Sequence, residues 1–280
     1  MKVNEAHPFE IYDEAALKDI ESSCMIVGWA EDAGSLGARV IEYLIHKLGG
    51  REFAQIDPPD FYPLNGVTIE DDIVRFPRTK FHVCPEKGLI LFQGSSPRAE
   101  WNRFLNTIVQ LGRDCCKMKE LYTVGGMVTL TPHTARRDLL AVANSSESKS
   151  VLQEYDLASA VSYQTPPGQR PTLSSYLLWV ARENNVPGAS FWVPTPFYLA
   201  GAEDPRAWKT VVQFFDRRFR LGLDMTDLDA EISRQDQKIA RLIARIPEIE
   251  HLIWKLERSM PLTDDENQKL VKEMEECLGQ

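Results

Sequence analysis

The sequence has no run of 18 apolar residues, the length that a membrane-spanning helix needs, so no membrane span or membrane partner is expected. It also lacks an excess of basic residues. The formal net charge is −9 and the pI is near 5.2, which argues against nucleic acid as a partner because phosphate contacts need a basic face. The stretch from Met1 to Glu14 is acidic and has no apolar core, so we expect no signal peptide and a cytoplasmic location.

Cysteine is scarce and odd in number, with five residues: Cys24, Cys84, Cys115, Cys116 and Cys277. Their spacing matches no metal site, so free thiols in a reducing compartment are preferred over a disulfide scaffold. Arg113, Lys117 and Lys119 lie close to Cys115-Cys116 in the sequence and would favour a thiolate. Buried, inert thiols are still the preferred interpretation of that pair.

Several enzyme motifs are also missing. The sequence contains no G-x-x-x-x-G-K-[ST] phosphate loop, no G-x-S-x-G nucleophile turn and no H-E-x-x-H zinc motif. The glycines Gly28, Gly34 and Gly37 do not fit G-x-G-x-x-G, and the acidic residues between them would repel a pyrophosphate. We therefore predict no catalytic residue, no cofactor and no metal site.

The stretch from Ser23 to Gly50 contains the first strand, loop and helix pattern of the sequence. Cys24 to Val27 is an apolar run typical of a buried strand, small and acidic residues follow, and from Ser35 the apolar residues recur with helical spacing. A second strand, loop and helix appear around Gly94, with Pro97 predicted at the first helical position behind a serine cap. This alternation predicts a three-layer α/β/α fold with a mostly parallel mixed sheet.

The composition changes near Leu223, so we predict a core domain over residues 1–222 and a helical extension over 223–280. The extension carries 14 acidic and eight basic residues, a net charge of −6. Apolar residues recur there as an interrupted a/d heptad, which predicts packing on another helix, either in a partner or within the chain. Pro247 should kink or split this helix. The interface candidates are Leu228, Ile232, Ile239, Leu242, Ile246, Ile249, Ile253 and Leu256.

Ligands of α/β sheets sit at the carboxyl ends of the strands, which defines a second set of candidates. They are Gly28, Asp32, Gly34, Gly94, Ser95, Gly125, Gly126, His133 and Thr134. The turn after Gly28 is interpreted as a tight acidic turn or the edge of a cation pocket. Gly94-Ser95 is interpreted as a helix cap or an anion site. His133 lies in a polar loop and is expected outside the core, as a pocket-lining, catalytic or loop-fixing residue.

Six stretches of the sequence resemble the bacterial branch of the proteasome assembly chaperone 2 family, in the family's order. They are residues 27–34, 52–58, 61–62, 132–134, 190–198 and 204–207. The resemblance implies a phosphorylase/hydrolase-like α/β/α domain, a helical C-terminal extension and self-association. Relatives help to assemble proteasomes, and some bacterial members are labelled ATP-grasp enzymes. The sequence contains no loop and acid set of the ATP-grasp type.

The C-terminal residues bear on a proteasome partner. Family members that dock on the proteasome ring are similar in ending with a hydrophobic residue, a tyrosine and any residue, whereas this chain ends Cys277-Leu-Gly-Gln280. Docking through that motif is therefore not expected. We predict a non-enzymatic, homo-oligomeric, assembly-chaperone-like protein that binds other proteins. The alternative is an enzyme or receptor that binds a small anionic or nucleoside-like ligand at the strand ends.

Overall fold

The computed structural model describes residues 9–18, 20–56, 61–62, 68–70, 72–75, 77, 79–158 and 164–279. The resemblance at residues 57 and 58 lies outside this part. The strands are β1 (Phe9–Ile11), β2 (Ser23–Trp29), β3 (Arg51–Ile56), β4 (Thr68–Glu70), β5 (Ile73–Arg75), β6 (Thr79–Cys84), β7 (Leu89–Gly94), β8 (Met118–Thr129), β9 (Leu140–Ala143) and β10 (Gly188–Pro196). The helices are α1 (Leu36–Leu48), α2 (Trp101–Gln110), α3 (Ser146–Leu152), α4 (Leu173–Glu183), α5 (Pro205–Phe219), α6 (Thr226–Arg245), α7 (Pro247–Glu257) and α8 (Asp264–Leu278).

Eight of these strands form one mixed sheet, in the order β1-β3-β6-β7-β2-β8-β10-β9. The strands β7, β2 and β8 run parallel to one another, with Val27 opposite Phe92 on one side and Thr123 on the other. The strands β1, β3, β6 and β7 pair antiparallel. The predicted mixed α/β fold is confirmed.

The chain divides into two compact units. The first comprises Met1–Glu31, Gly37–Val124 and Ala141–Ser190, and the second comprises Asp32–Leu36, Gly125–Leu140 and Phe191–Gln280. The strands β8 and β10 continue from one unit into the other along the chain. The second unit includes the predicted C-terminal extension, and the predicted domain boundary at residue 222 stays a prediction.

The first unit has helices on both faces of its strands. Val27 and Trp29 of β2 lie in an apolar core with residues of α2 and α4, including Phe104, Leu105 and Leu177. Gly28 points to the other face, where a β-carbon would lie 2.2 Å from the carbonyl oxygen of Gly37 and 2.7 Å from Ile41 of α1. Glycine is therefore needed for α1 to pack this closely on β2.

The second unit is mainly helical. The core formed by α6, α7 and α8 buries apolar residues from all three helices together with Tyr198 and Leu199. Pro247 is the first residue of α7, and Ile246 before it is extended, so the predicted split at this proline is confirmed. The helix α8 begins with a capping box, because Thr263 and Glu266 exchange side-chain and backbone hydrogen bonds. No helix in the described ranges is long and apolar enough to cross a membrane.

The strand at Ile73–Arg75 pairs with β4, and β6 pairs with β3 and β7. One local prediction is wrong. The helix expected from Pro97 begins at Trp101, after Glu100 with a φ of 53°. The backbone N–H of Ser96 donates to Glu31 Oε2 at 2.7 Å. The anion site that Gly94-Ser95 would form at a helix N-terminus therefore has no helix behind it.

Candidate functional site

The glycine pair at the end of β8 makes a close backbone approach within the second unit. The backbone N–H of Gly126 donates to Asp32 Oδ2 at 3.0 Å, and a β-carbon on Gly126 would lie 2.3 Å from the carbonyl oxygen of Ala33. Gly34 has a φ of +67°, and its N–H donates to the carbonyl oxygen of Ala200 at 2.8 Å. These predicted pocket residues bring backbone segments together, because only glycine fits at both positions.

His133 is held by a tyrosine 65 residues away in the chain. Its backbone N–H donates to the hydroxyl oxygen of Tyr198 at 2.5 Å, and its ring Nδ1 lies 3.0 Å from the same oxygen. The hydroxyl oxygen therefore contacts both the backbone and the ring of His133, and in the ring contact either atom can be the donor. The expectation that His133 lies outside the core is wrong, because the ring is buried.

The charge state of His133 follows from this burial. Burial lowers the pKa of the imidazole, and the cationic side chains of Arg137 and Arg206 lower it further, against the opposite effects of Asp236 and Glu257. The ring is therefore neutral at pH 7. Thr134, the neighbouring candidate, is exposed and donates from Oγ1 to Glu257 Oε1 at 3.2 Å. The arrangement fits the loop-fixing alternative among the three offered for His133.

An ion pair that the sequence analysis missed lies in the same unit. Arg137 Nε donates to Asp204 Oδ2 at 2.9 Å, and the two side chains are only 3% and 1% exposed. The other carboxylate oxygen, Oδ1, accepts from the N–H of Ala207 in the first turn of α5. Arg137 also donates from Nη1 to the carbonyl oxygen of Ala135 at 2.7 Å. We call His133, Arg137, Tyr198 and Asp204 the buried clamp, because they fix residues 130–137.

Next to the buried clamp, three large apolar side chains are exposed. Met127, Val128 and Leu130 are 40%, 55% and 69% exposed, and we call them the β8-end surface. Consecutive strand residues point to opposite faces, so exposure of both Met127 and Val128 leaves both faces of this strand end open in the described part of the unit. Gly126 is fixed on one side of the surface and His133 on the other. The β8-end surface is therefore apolar and held in place.

The heptad residues of the extension are buried or half-buried and do not form an open interface. Within the chain's own core the structure buries Leu228, Ile239, Leu242, Ile249, Ile253 and Leu256, and it half-buries Ile232 and Ile246. Most of them pack with residues of α8, such as Leu270 and Met274. This packing fits the intramolecular alternative, because the seam turns inward once Pro247 splits the helix.

The remaining pocket candidates lie in the first unit. Gly94 and Ser95 line a cavity of about 530 Å³ at the ends of β7 and β2. Its other lining residues are Ala30, Glu42, Ile45, His46, Glu52, Lys80, His82 and Gln93. His133 and Thr134 are not among the described residues that line it. Gly94 and Ser95 are thus the two candidates that line this cavity.

Four side chains at and beside this cavity form what we call the Glu52 cluster. Glu52 accepts hydrogen bonds from Lys80 Nζ and from the hydroxyl of Tyr12, and its Oε2 lies 3.8 Å from His82 Nε2. Burial alone would raise the pKa of Glu52, but the hydrogen bonds from Lys80 and Tyr12 outweigh it and lower that pKa. Burial lowers the pKa of His82, and the Glu52 carboxylate opposes this effect. The spacing of Glu52, Lys80 and His82 on alternating strand positions is the signal that could have revealed the cluster.

The structure forms no disulfide among the five cysteines, all of which lie in the described ranges. Burial raises the pKa of Cys116 to about 12 and also raises the pKa of Cys115. The nearby lysines and arginine therefore do not create a thiolate. In the described part of the chain, no group of three or more His, Cys, Asp or Glu side chains is arranged to hold a metal ion.

Comparison with solved structures shows the same fold in several proteins. A Corynebacterium glutamicum protein of unknown function superposes with a TM-score of 0.74 at 18% identity, over 91% of this chain and 97% of its own. A Mycobacterium tuberculosis proteasome-assembly chaperone homologue gives 0.67 at 19% identity, over 82% and 99%. Pyrococcus furiosus PbaB, an archaeal proteasome activator, gives 0.67 at 18% identity, over 84% and 97%.

Sequence comparison identifies the family. No curated protein matches this sequence. A model of the PAC2 family matches residues 25–243, a range that includes most of β2, all of α1 and the four residues of the buried clamp. The match covers well over half of the chain and confirms the resemblance seen in the sequence. The chain belongs to the PAC2 family.

Proposed function

We propose that this protein acts by binding other proteins, as a homo-oligomeric, non-enzymatic factor of the assembly-chaperone type. The observation that carries the proposal is the β8-end surface, an apolar strand end that the buried clamp holds in place. Two of the structural neighbours are described as a proteasome-assembly chaperone homologue and a proteasome activator. These descriptions support a protein-binding function of the assembly-chaperone type.

The physical argument concerns preorganisation. Exposed large apolar side chains on one strand end are typical of a contact site. Binding costs less entropy when the contacting residues are already ordered in the free protein. Asp32, His133 and Asp204 order this segment through their hydrogen bonds. The first partner that we assign to the β8-end surface is a second copy of the chain.

Self-association can be measured directly. A monomer has a mass of 31.9 kDa, and we expect sedimentation velocity of the full chain to give a multiple of that mass. Replacing both Val128 and Leu130 with Asp should return the mass to that of the monomer, because two carboxylates would have to be buried at the contact. Ile69→Asp is the matched control, since Ile69 is exposed and apolar but lies on the β4–β5 hairpin.

Two results would overturn the proposal of self-association. One is a wild-type mass of a monomer up to concentrations of about 100 µM, where contacts of even micromolar affinity would form. The other is an equal mass for the wild type and the double variant, with circular dichroism showing both folded. Purified proteasome α-subunits are the probe for the assembly role. An unchanged subunit-assembly rate with and without the protein would reject that role.

A small-ligand receptor is a second candidate function, favoured by the cavity at Gly94 and Ser95. Lys80 is paired with Glu52 there, and Glu42 and Glu52 would repel an anion, so a neutral, nucleoside-like molecule fits better than phosphate. Thermal-shift assays with nucleosides should show stabilisation that Ser95→Ala reduces and His133→Gln leaves in place. The same shift in wild type and Ser95→Ala, or no shift with any nucleoside, would reject this function.

A further inference from the structure

Three exposed or half-exposed aromatic rings form a row on the first unit, which we call the aromatic strip. It consists of Trp101, the first residue of α2, and of Tyr176 and Trp179 on α4. The ring centroids of Trp101 and Tyr176 are 6.3 Å apart with planes at 37°, and those of Tyr176 and Trp179 are 5.4 Å apart at 32°. Both pairs are tilted, and the row runs from Trp101 through Tyr176 to Trp179.

The polar atoms of Trp101 and Tyr176 form hydrogen bonds within the chain. Trp101 Nε1 donates to the carbonyl oxygen of Pro97 at 2.8 Å, and the Tyr176 hydroxyl accepts from Asn102 Nδ2 at 3.1 Å. These bonds orient two of the rings, which also pack partly against the core of the first unit. Trp179 is 49% exposed, and the core of the unit is instead supplied by its neighbours on α4, such as Leu177, Leu178 and Val180. Packing of the core therefore does not account for a tryptophan at position 179.

The chain itself shows which chemistry this row accepts. The guanidinium of Arg170 lies over the ring of Trp101, 5.8 Å from its centroid. Arg170 belongs to the exposed segment Thr165-Pro-Pro-Gly-Gln-Arg-Pro171, which leads into α4. Arginine binds aromatic faces through cation–π attraction, and extended proline-containing segments dock on rows of aromatic rings. Among the described residues, no cationic side chain covers Trp179 in the way that Arg170 covers Trp101.

We propose that the aromatic strip binds an extended peptide segment that contains proline and arginine, with an arginine or proline of that segment over Trp179. Arg170 is the intramolecular example of the arginine contact, since its guanidinium already lies on the first ring. The net charge of −9 favours a cationic segment and disfavours nucleic acid, whose bases would also stack on such rings. The strip lies in the first unit, and its test is independent of the self-association test.

A labelled peptide with the sequence of residues 164–172 is the probe. Fluorescence anisotropy should show saturable binding to the full-length protein. Trp179→Ala should weaken binding at least about tenfold, because it removes the open ring, and Trp179→Phe should recover part of the loss. A peptide in which alanine replaces the arginine should bind more weakly to wild type. Trp254→Ala is the matched control, since Trp254 is an exposed tryptophan on α7 that should not affect binding.

Several outcomes would overturn the proposal. They are the absence of binding at millimolar peptide, equal affinity for wild type and a folded Trp179→Ala variant, or equal loss in the Trp254→Ala control. A platform for sugars is the competing explanation of exposed aromatic rings. Oligosaccharides that quench Trp179 fluorescence while the peptide does not would establish it in place of peptide binding.

Discussion

The Glu52 cluster and the buried clamp contain the same kinds of group in opposite surroundings. Each has a tyrosine, a histidine, a cationic side chain and a carboxylate. In the Glu52 cluster the side chains of Lys80 and Glu52 are 29% and 32% exposed, whereas Arg137 and Asp204 are almost fully buried. Exposed pairs contribute little to stability, and breaking a buried pair leaves a charge without compensation. The comparison suggests that the clamp shapes a loop and that the Glu52 cluster is open to ligands.

Replacing Asp204 with Ala should have the largest effect. It leaves the Arg137 guanidinium buried without its carboxylate and removes the side-chain cap of α5. We expect urea denaturation to show an unfolding free energy lowered by about 3–5 kcal/mol. Asp138→Ala is the control, because the Arg136–Asp138 pair is 75% and 54% exposed, and it should cost less than about 1 kcal/mol. Similar losses in the two variants would contradict the role given to the clamp.

The two tyrosines give a second, smaller contrast. Tyr198→Phe removes the oxygen that accepts from the His133 N–H and leaves two buried polar groups without it, so stability should fall by about 1–3 kcal/mol. Tyr12→Phe removes a hydrogen bond to Glu52 from an exposed site and should cost less than about 1 kcal/mol. The comparison between the clusters breaks down if Tyr12→Phe proves the more destabilising in urea.

Acid should destabilise the protein through both histidines. Burial lowers the folded-state pKa of His82 and of His133, so the unfolded chain, with histidine pKa values near about 6.5, binds more protons in the window just below that pH. The unfolding free energy should therefore fall as the pH falls below about 6.5. His82→Asn and His133→Asn should each flatten this decline. An unchanged slope in both buried-site variants would reject the assignment.

The smallest effect is expected for Lys80→Met. The loss of one half-exposed ion pair should change the unfolding free energy by less than about 1 kcal/mol. The pKa of Glu52 should nevertheless rise, because the Lys80 hydrogen bond that lowers it is gone. Burial, which raises this pKa, is then opposed mainly by the hydrogen bond from Tyr12. An NMR titration of the Glu52 carboxyl measures this directly. A Glu52 pKa equal to that of wild type would show that Lys80 does not govern the cluster.

Features with local causes were predictable from the sequence. The capping box at Thr263, the helix boundary at Pro247 and the strand–helix unit from Ser23 depend on residues only a few positions apart. The helix start at Trp101 was missed because a proline and serines form an equally good local signal four residues earlier, and Glu31 captures the Ser96 N–H instead.

Features with distant causes were not predictable. The burial of His133 involves Tyr198, and the buried ion pair of Arg137 requires Asp204, 67 residues later. A polar loop around a histidine gives no sign of either partner. The heptad in α6 and α7 predicted helix packing correctly in kind, but its spacing is the same whether the second helix belongs to this chain or to another.

Tyr198 makes two kinds of contact with one side chain. Its hydroxyl holds His133, while its ring lies in the apolar core made by α6, α7 and α8. Truncation of the chain after residue 222 would therefore remove the residues that pack on the Tyr198 ring. It would at the same time loosen the contact between Tyr198 and His133. Any isoform or cleavage product without the final three helices should behave as a protein with a loosened contact segment, even though no residue of that segment has been altered.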